Sequence, residues 1–182
     1  MERIMIMGCA GSGKSTLSRN LSQELGIDVM HLDSHFFVAG WNRAPQEQFH
    51  KAHEDFLEKE KWIIDGNYKK VAIEKRVEKT DMIIHLDFST WNCLYGVVKR
   101  RIQFHGKTRP DLAEGCPEKI DWPFLKWVWN FNSNINPWIK ELIAESKNKK
   151  VIVLKNRYEI DAFVEEVKNS RKENRPLNWS NN

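Results

Sequence analysis

At 182 residues, with a hydrophobic share of 41% and a charged share of 30%, the chain has the size and composition of about one globular domain with a substantial core. Its net charge of +4 suits an anionic ligand but is too thin to mark a nucleic-acid binder by itself. No apolar run approaches the ~20 residues of a bilayer span, the chain begins on a strand rather than a secretory leader, and Cys9, Cys93 and Cys116 lack ligand spacing; together these predict a cytoplasmic protein with free thiols and no membrane partner.

The first element is a short apolar strand, Ile4-Met5-Ile6-Met7, which runs into Gly8-Cys9-Ala10-Gly11-Ser12-Gly13-Lys14-Ser15-Thr16. This stretch fits G-x-x-x-x-G-K-[ST]. Gly8, Gly11 and Gly13 let the backbone curl so that successive N–H groups, Ser12 among them, face inward as an anion nest. A helix opening at Lys14 adds its positive dipole end. Lys14 is then placed to meet the β- and γ-phosphates of ATP, and the hydroxyl of Ser15, followed by Thr16, to ligate Mg²⁺. A glycine-rich strand-to-helix turn with an incidental lysine is the plainer alternative.

Leu17, Leu21 and Leu25 continue that helix to Gly26. Residues 28–32 read as a strand with Asp33 at its carboxyl end, followed by a loop over 34–45 that carries Arg43. A helix is expected over 46–59, a third strand at Trp62-Ile63-Ile64 closed by Asp65-Gly66-Asn67, a helix over 70–78 with Arg76, and a fourth strand over 81–86. Thr90 to Phe104 reads as a helix ending in Lys99-Arg100-Arg101. Residues 106–121 lack periodicity and are rich in charge, which predicts a mobile loop. A long aromatic helix over 122–146, bent at Pro137, a fifth strand over 150–154 and a last helix over 159–169 complete the main body (1–170), and 171–182 reads as a flexible, frayed tail.

Strands alternating with helices predict a parallel sheet with right-handed crossovers and helices on both faces. Ligands of such sheets bind beyond the carboxyl ends of the strands, a rim that collects the Gly8–Thr16 loop, Asp33, Asp65 and Asn156-Arg157, the last two beside the nucleotide. Asp65, at the end of its strand, is the natural acidic partner of Ser15 for Mg²⁺, or else a turn aspartate. Asp33 is placed to take a proton from a substrate hydroxyl or to orient it; capping the turn is the equal alternative. Arg43 is a candidate grip for a substrate anion. Arg100 and Arg109 are candidates to stabilise phosphoryl charge from a closing loop, against a solvated basic face. The six histidines show no metal-ligand spacing. Phe124, Trp127, Trp129, Phe131 and Trp138 read as core plus a shielding wall rather than a base-stacking platform.

These stretches together, with His31-Leu32-Asp33, Trp62 through Tyr68, and Gly106-Lys107-Thr108-Arg109-Pro110-Asp111 followed by Gly115-Cys116-Pro117-Glu118-Lys119, resemble the adenylate-kinase-like P-loop proteins of the DNA topology modulation (FlaR-related) family, over Met1 to about Phe163. The resemblance implies a three-layer α/β P-loop NTPase fold of the nucleoside-monophosphate-kinase type, a five-stranded parallel sheet in the order 2-3-1-4-5, an ATP site at Gly8–Thr16 and a lid at about 106–121. In nucleotide kinases the third-strand turn reads D-G-F-P-R; here Asp65 and Gly66 match and Asn67-Tyr68-Lys69 stands in place of the rest, which argues against an adenylate acceptor. Asp33 and Thr108-Arg109-Pro110 are similar to small-hydroxyl kinases such as shikimate kinase. With Cys116 alone, a four-cysteine zinc site of the kind some lids carry is excluded.

The expected activity is therefore an ATP- and Mg²⁺-dependent phosphotransferase acting on a small hydroxyl or phosphate acceptor. Lys14, Asp33, Arg100 and Arg109 carry the chemistry, Ser15 and Asp65 hold the metal, and Asp33, Arg43, Asp65, Gly66 and Asn67 shape the acceptor side. The alternative is a nucleotide-gated DNA- or protein-binding regulator with weak ATPase activity, to which the basic clusters would contribute. A monomer and a homodimer are equally compatible with the sequence.

Overall fold

The computed structural model describes residues 2–69 and 72–180. Five parallel strands form its sheet: β1 (Arg3–Gly8), β2 (Val29–His31), β5 (Trp62–Asp65), β6 (Met82–Leu86) and β7 (Lys150–Leu154), hydrogen-bonded in the order β2-β5-β1-β6-β7. Counted among themselves, these are the second, third, first, fourth and fifth strands, the order expected. β1 lies between β5 and β6, with Met5 opposite both Ile64 and Ile83. Its side chains, Ile4 to Met7, are fully buried, as a strand covered on both faces by helices requires. The remaining two strands, β3 (Phe37–Val38) and β4 (Asn42–Arg43), form a separate small antiparallel hairpin.

The helices are α1 (Lys14–Leu25), the five-residue α2 (Leu32–Phe36), α3 (Gln46–Leu57), α4 (Ile73–Lys79), α5 (Thr90–Gln103), α6 (Trp122–Asn134), α7 (Asn136–Glu145) and α8 (Arg157–Lys172). Several bounds depart from expectation for identifiable reasons. Strand β2 stops at His31, so Asp33 sits in the first turn of α2 rather than on the strand, and the 34–45 loop is largely a short helix and hairpin. The start expected for α4, at Lys70, lies outside the described residues. The long aromatic helix is two helices: Pro137 falls in the first turn of α7, where its missing N–H costs nothing, and the chain breaks at Ile135. Helix α8 begins at Asn156, whose side chain accepts from the Glu159 N–H as an N-cap.

The main core packs both sides of the sheet against these helices and includes Leu17, Leu21, Val97, Phe131, Ile139 and Phe163. A second cluster, Met30, Leu32, Phe49, Leu57, Trp62 and Ile64, fixes α2 and α3 beside β2 and β5. Residues of the segment expected to fray pack back instead: Arg175 pairs with Glu166 at 2.6 Å, and Trp179 stands edge-on to Phe163 at 5.3 Å. Asn181 and Asn182 are outside the described residues.

Arg76 of α4 is completely buried, and its guanidinium donates to the Gly66, Asn67 and Tyr68 carbonyls at 3.2, 3.3 and 3.4 Å. Three successive carbonyls facing one cation shape the turn that follows β5. Burial lowers the Arg76 pKa to about 10, which leaves it charged at neutral pH.

His53 of α3 lies nearby, fully buried, and neither ring nitrogen has a hydrogen-bond partner among the described residues. Burial, then the charges of Arg76 and His50, push its pKa from 6.5 down to about 4. A histidine held neutral in the fold but free to protonate when unfolded makes the unfolded chain bind more protons as pH falls. Stability is therefore complete above the unfolded value and declines from pH 6.5 towards about 4. Urea titrations across this window are expected to show a falling midpoint, and His53→Leu should flatten that fall. An unchanged slope in the variant would assign it to other groups, such as His85, whose pKa burial also lowers.

Candidate functional site

The loop between β1 and α1 is built by close backbone approach. Gly11 lies at φ 77° and Gly96, on the inner face of α5, meets it so tightly that a Cβ on Gly96 would stand 2.0 Å from the Gly11 carbonyl oxygen. The Ser12 hydroxyl donates to the Cys9 carbonyl at 2.8 Å and the Lys14 ammonium donates to the same oxygen at 2.9 Å. Lys14 is thus folded over its own loop. Gly8 is clamped from the neighbouring strand: its N–H donates to Asn67 Oδ1 at 3.0 Å and its carbonyl accepts from Asn67 Nδ2 at 2.9 Å. Arg157, at the start of α8, donates to the Gly11 carbonyl at 2.9 Å.

This loop opens into a cavity of about 970 Å³, which Lys14, Ser15 and Thr16 line together with Asp33, Asp65 and Gly66, while Arg100, Arg109 and Arg157 supply cations. The volume lies at the upper end of the range of small-molecule sites. Asp65 is buried, and its Oδ2 accepts from Ser18 Oγ at 2.6 Å and faces His31 Nδ1 at 2.7 Å. Asp33 accepts from the Tyr68 hydroxyl at 2.7 Å. Burial and then the Asp33 charge raise the Tyr68 pKa, so the phenol stays protonated and the carboxylate stays oriented.

The segment expected to be a mobile loop is held down by its own charges. Glu118 is buried between two guanidiniums, Arg100 Nε at 2.7 Å and Arg109 Nε at 2.8 Å. Arg109 also reaches Asp111 at 2.7 Å, and Asp111 meets Arg19 of α1 at 3.3 Å. Burial alone would raise the Asp111 pKa, but Arg109, the Ser15 hydroxyl that lies against it, His31 and Arg19 together hold it below the usual carboxylate range. A carboxylate from this segment therefore sits at the Ser15 hydroxyl. The segment's far side rests on the β3–β4 hairpin: Trp41 Nε1 donates to the Pro117 carbonyl at 3.0 Å, the Gly40 N–H donates to the Gly115 carbonyl at 2.8 Å, and Cys116 is fully buried.

The structure thus brings Lys14, Ser15, Thr16, Asp33, Asp65, Gly66, Asn67, Arg100, Arg109 and Arg157 around one space. Arg43 and Asn156 take other places, and Asn67 lines the cavity with its amide already engaged. Arg43 stacks its guanidinium over Phe36 at 5.7 Å and is not among the cavity-lining residues. Asn156 spends its side chain capping α8 and does not line the cavity. Asn67 reaches the cavity wall, but both ends of its amide are committed to Gly8. Conversely, Arg19, Trp41, Tyr68, Lys69, Asp111 and Glu118 were not singled out and turn out to line or brace the site. Arg19 lies one helical turn after Ser15, a spacing that alone could have pointed to it. The aromatic wall is partly as expected: Phe124 and Trp127 stack at 6.2 Å beside the cavity, while Trp122 and Trp129 face solvent.

Metal would find oxygen donors here in the Ser15 hydroxyl and the Asp65 and Asp111 carboxylates, one or two of which suffice for a Mg²⁺ that keeps waters and phosphate oxygens. Among the described residues no group of three or more His, Cys, Asp or Glu side chains forms a metal cage.

Comparison with known proteins agrees with this architecture. Residues 4–89 match the family model described as an AAA domain. No curated protein matches the chain. Among solved structures, deoxyadenosine kinase from M. mycoides with dATP bound aligns with a TM-score of 0.52 at 16% identity, covering 94% of this chain and 97% of that one. The same enzyme with dCMP and a flexible dCDP gives 0.50 at 16% identity, covering 94% and 99%. The fold is that of the P-loop kinases. Shikimate kinase from Bacteroides thetaiotaomicron aligns at a lower TM-score of 0.44, at 15% identity and 94% and 98% coverage. No helix among the described residues is long and apolar enough to cross a membrane.

Breaking the Glu118 anchor tests whether the 104–121 segment is held as described. Removing one partner of a buried ion pair typically costs about 3–5 kcal/mol. Glu118→Ala is expected to lower the unfolding midpoint and to open Lys107 and Lys119 to trypsin before the core is cut. Equal trypsin resistance in variant and wild type would show that the hairpin contacts alone hold the segment.

Proposed function

We propose that this chain is an ATP- and Mg²⁺-dependent phosphotransferase of the P-loop kinase type, within the adenylate-kinase-like topology modulation group. It would act in the cytoplasm on a small hydroxyl or phosphate acceptor. The observation that carries the reading is the convergence, on one cavity, of a phosphate loop with its lysine and serine, two arginines from α5 and the lid at about 106–121, and a hydroxyl-oriented carboxylate. Each half alone has other uses. Their combination matches what phosphoryl transfer requires, namely positioning and electrostatic stabilisation with little covalent chemistry.

The roles follow from placement. The backbone nest of Gly8–Thr16 and the helix α1 N-terminus receive the β- and γ-phosphates, and Lys14 leaves the Cys9 carbonyl to pair with them. Arg157 sits over the loop at the nucleotide end. Ser15 with Asp65, aided by Asp111, would hold Mg²⁺, which when bound supplies charge neutralisation of the phosphates. Arg100 and Arg109 exchange their carboxylate partners for phosphoryl oxygens. Asp33, fixed by Tyr68, takes the proton of an acceptor hydroxyl as the acceptor oxygen bonds to the γ-phosphorus and the bond to the β–γ bridging oxygen breaks. ADP is the leaving group. Gly66 and the aromatic side chains of Phe37, Trp41, Tyr68 and Trp138, with Lys69 stacked on Trp138 at 5.2 Å, shape the acceptor side.

Deoxynucleosides and their monophosphates are the first acceptors to screen, because the structural neighbour is a deoxyadenosine kinase; small hydroxy acids are the next panel. With an acceptor identified by stimulated ADP formation, Lys14→Ala is expected to reduce turnover by at least about a hundredfold while circular dichroism stays native. Retained turnover would overturn the mechanism. For a hydroxyl acceptor, Asp33→Asn should lower kcat by about 10²–10⁴ with nucleotide binding unchanged. A phosphate acceptor needs no proton removed, so unaltered kcat in a folded Asp33→Asn would assign the acceptor to that class.

A further inference from the structure

Helix α5 is apolar on opposite sides. Its inner side, Cys93, Gly96 and Val97, is buried against the phosphate loop and core. Its outer side carries Trp91, Tyr95, Val98 and Ile102, exposed by 70, 64, 49 and 74%. These four recur at intervals of four, three and four residues, the spacing of a helix–helix packing seam. A solvent-facing helix side ordinarily carries charge.

Helix α6 extends the patch. It runs antiparallel to α5, since Asn132 donates to the Phe88 carbonyl at 3.1 Å at one end while Arg100 lies over the Phe124 ring, 5.9 Å from its centroid, at the other. Trp129, 52% exposed, stands edge-on to Trp91 at 5.3 Å. The antiparallel course carries Trp122, 76% exposed, towards the Val98–Ile102 end. Neither helix contains an aspartate or glutamate. Beyond the Trp91–Trp129 pair, each of the six side chains keeps about half or more of its surface exposed among the described residues.

We infer that the α5–α6 face is a homodimer interface, in which the α5 seams of two copies pack antiparallel about a two-fold axis. Three observations favour a second copy over other occupants. The first is area: the exposed fractions of the six side chains correspond to roughly 800 Å² per copy, what a stable standard-size interface buries on each partner. The second is composition, with Trp and Tyr at the centre of the patch and acidic side chains missing from it, as interface cores show.

The third is charge. The charged side chains of the two helices beside the patch are cations, Arg101 on α5 and Lys126 on α6, and the acidic Asp121 stands at its Trp122 end as the N-cap of α6. Parallel packing would set the two Arg101 side chains side by side. Antiparallel packing separates them by most of the seam, about 16 Å long at 1.5 Å per residue. It brings Arg101 of each copy to Trp91 of the other, a cation–π pairing, and Tyr95 to Val98 across the axis. The seam is self-complementary in this one orientation.

The interface would bear on the site, because the helix that forms it also presses Gly96 on Gly11 and carries Arg100 to Glu118. Its test is independent of catalysis. Sedimentation equilibrium of the wild-type chain is expected to give twice the 21.5 kDa chain mass at micromolar concentrations. Tyr95→Glu combined with Ile102→Glu, both outward of the core, should give the single-chain mass with native circular dichroism. An equimolar mixture of the Tyr95→Cys and Val98→Cys single variants should form a mixed intermolecular disulfide on mild oxidation, the native cysteines being buried. A wild-type monomer at hundreds of micromolar, a dimer indifferent to the glutamates, or a dimer whose engineered cysteines do not cross-link would each overturn the proposal. So would a monomer that sediments with phosphatidylglycerol vesicles, which would make the patch a lipid-facing surface.

Discussion

The contact between Gly11 and Gly96 sets the geometry on which the rest of the site depends. A β-carbon on Gly96 would fall 2.0 Å from the Gly11 carbonyl oxygen, and one on Gly11 would fall 2.2 Å from the Cys93 carbonyl oxygen. Two backbones can meet this closely only where neither carries a side chain. The approach fixes where α5 lies over the phosphate loop, and therefore where its last turn ends. Arg100 reaches Glu118 from that last turn, and Glu118 in turn holds Arg109. A local backbone contact is in this way passed on to the segment that covers the cavity. The opposite wall is set just as indirectly, since buried Arg76 gathers the 66–68 carbonyls and Asn67 ties that turn to Gly8.

The covering segment answers a specific electrostatic problem. The guanidiniums of Arg100 and Arg109 are largely buried cations, which are costly without partners. Here the segment supplies them: Glu118 and Asp111 neutralise Arg100, Arg109 and part of Arg19. Carboxylate and phosphate present similar planar or forked acceptors to a guanidinium. Under the proposed function, phosphate arrival is therefore an exchange of one anion for another rather than a first desolvation. Asp111, at the Ser15 hydroxyl, stands where that exchange would begin.

Sequence reasoning reached the sheet's strands and the phosphate loop because these are written locally, whereas the strand order followed only from the family resemblance. Ile4–Met7, Trp62–Ile64 and Met82–Leu86 are short apolar runs, and G-x-x-x-x-G-K-S has a fixed spacing. It failed where a residue's partner is remote. Residues 106–121 read as mobile because charge clusters are usually solvated, yet their charges pair with each other and with Arg100 and Arg19, 18 and 92 positions away from their partners. Asn67 read as an acceptor-side turn residue because its partner, Gly8, is 59 residues away. Arg43 was placed in the site by its position after Asp33, but two-residue strand pairing turned it onto Phe36. Pro137 was recognised as a bend, while only the break at Ile135 shows that it opens a new helix.

The aromatic helices expose the same limitation from the other side. Periodicity says that an apolar stripe is buried, but not by what. Along α6, Val128 and Phe131 are buried in the chain's own core, Trp127 turns to the cavity, and Trp122 and Trp129 to neither. Along α5 the two stripes are half a turn apart, so both cannot serve one core. A helix of this kind satisfies its inner side by folding and, under the dimer proposal, its outer side by association. The inner side requires glycine for its contact with the phosphate loop, which removes packing area from the face that would otherwise anchor α5. A partner on the outer side would restore the lost restraint, making the Gly11–Gly96 contact and the exposed aromatic seam two demands on one helix.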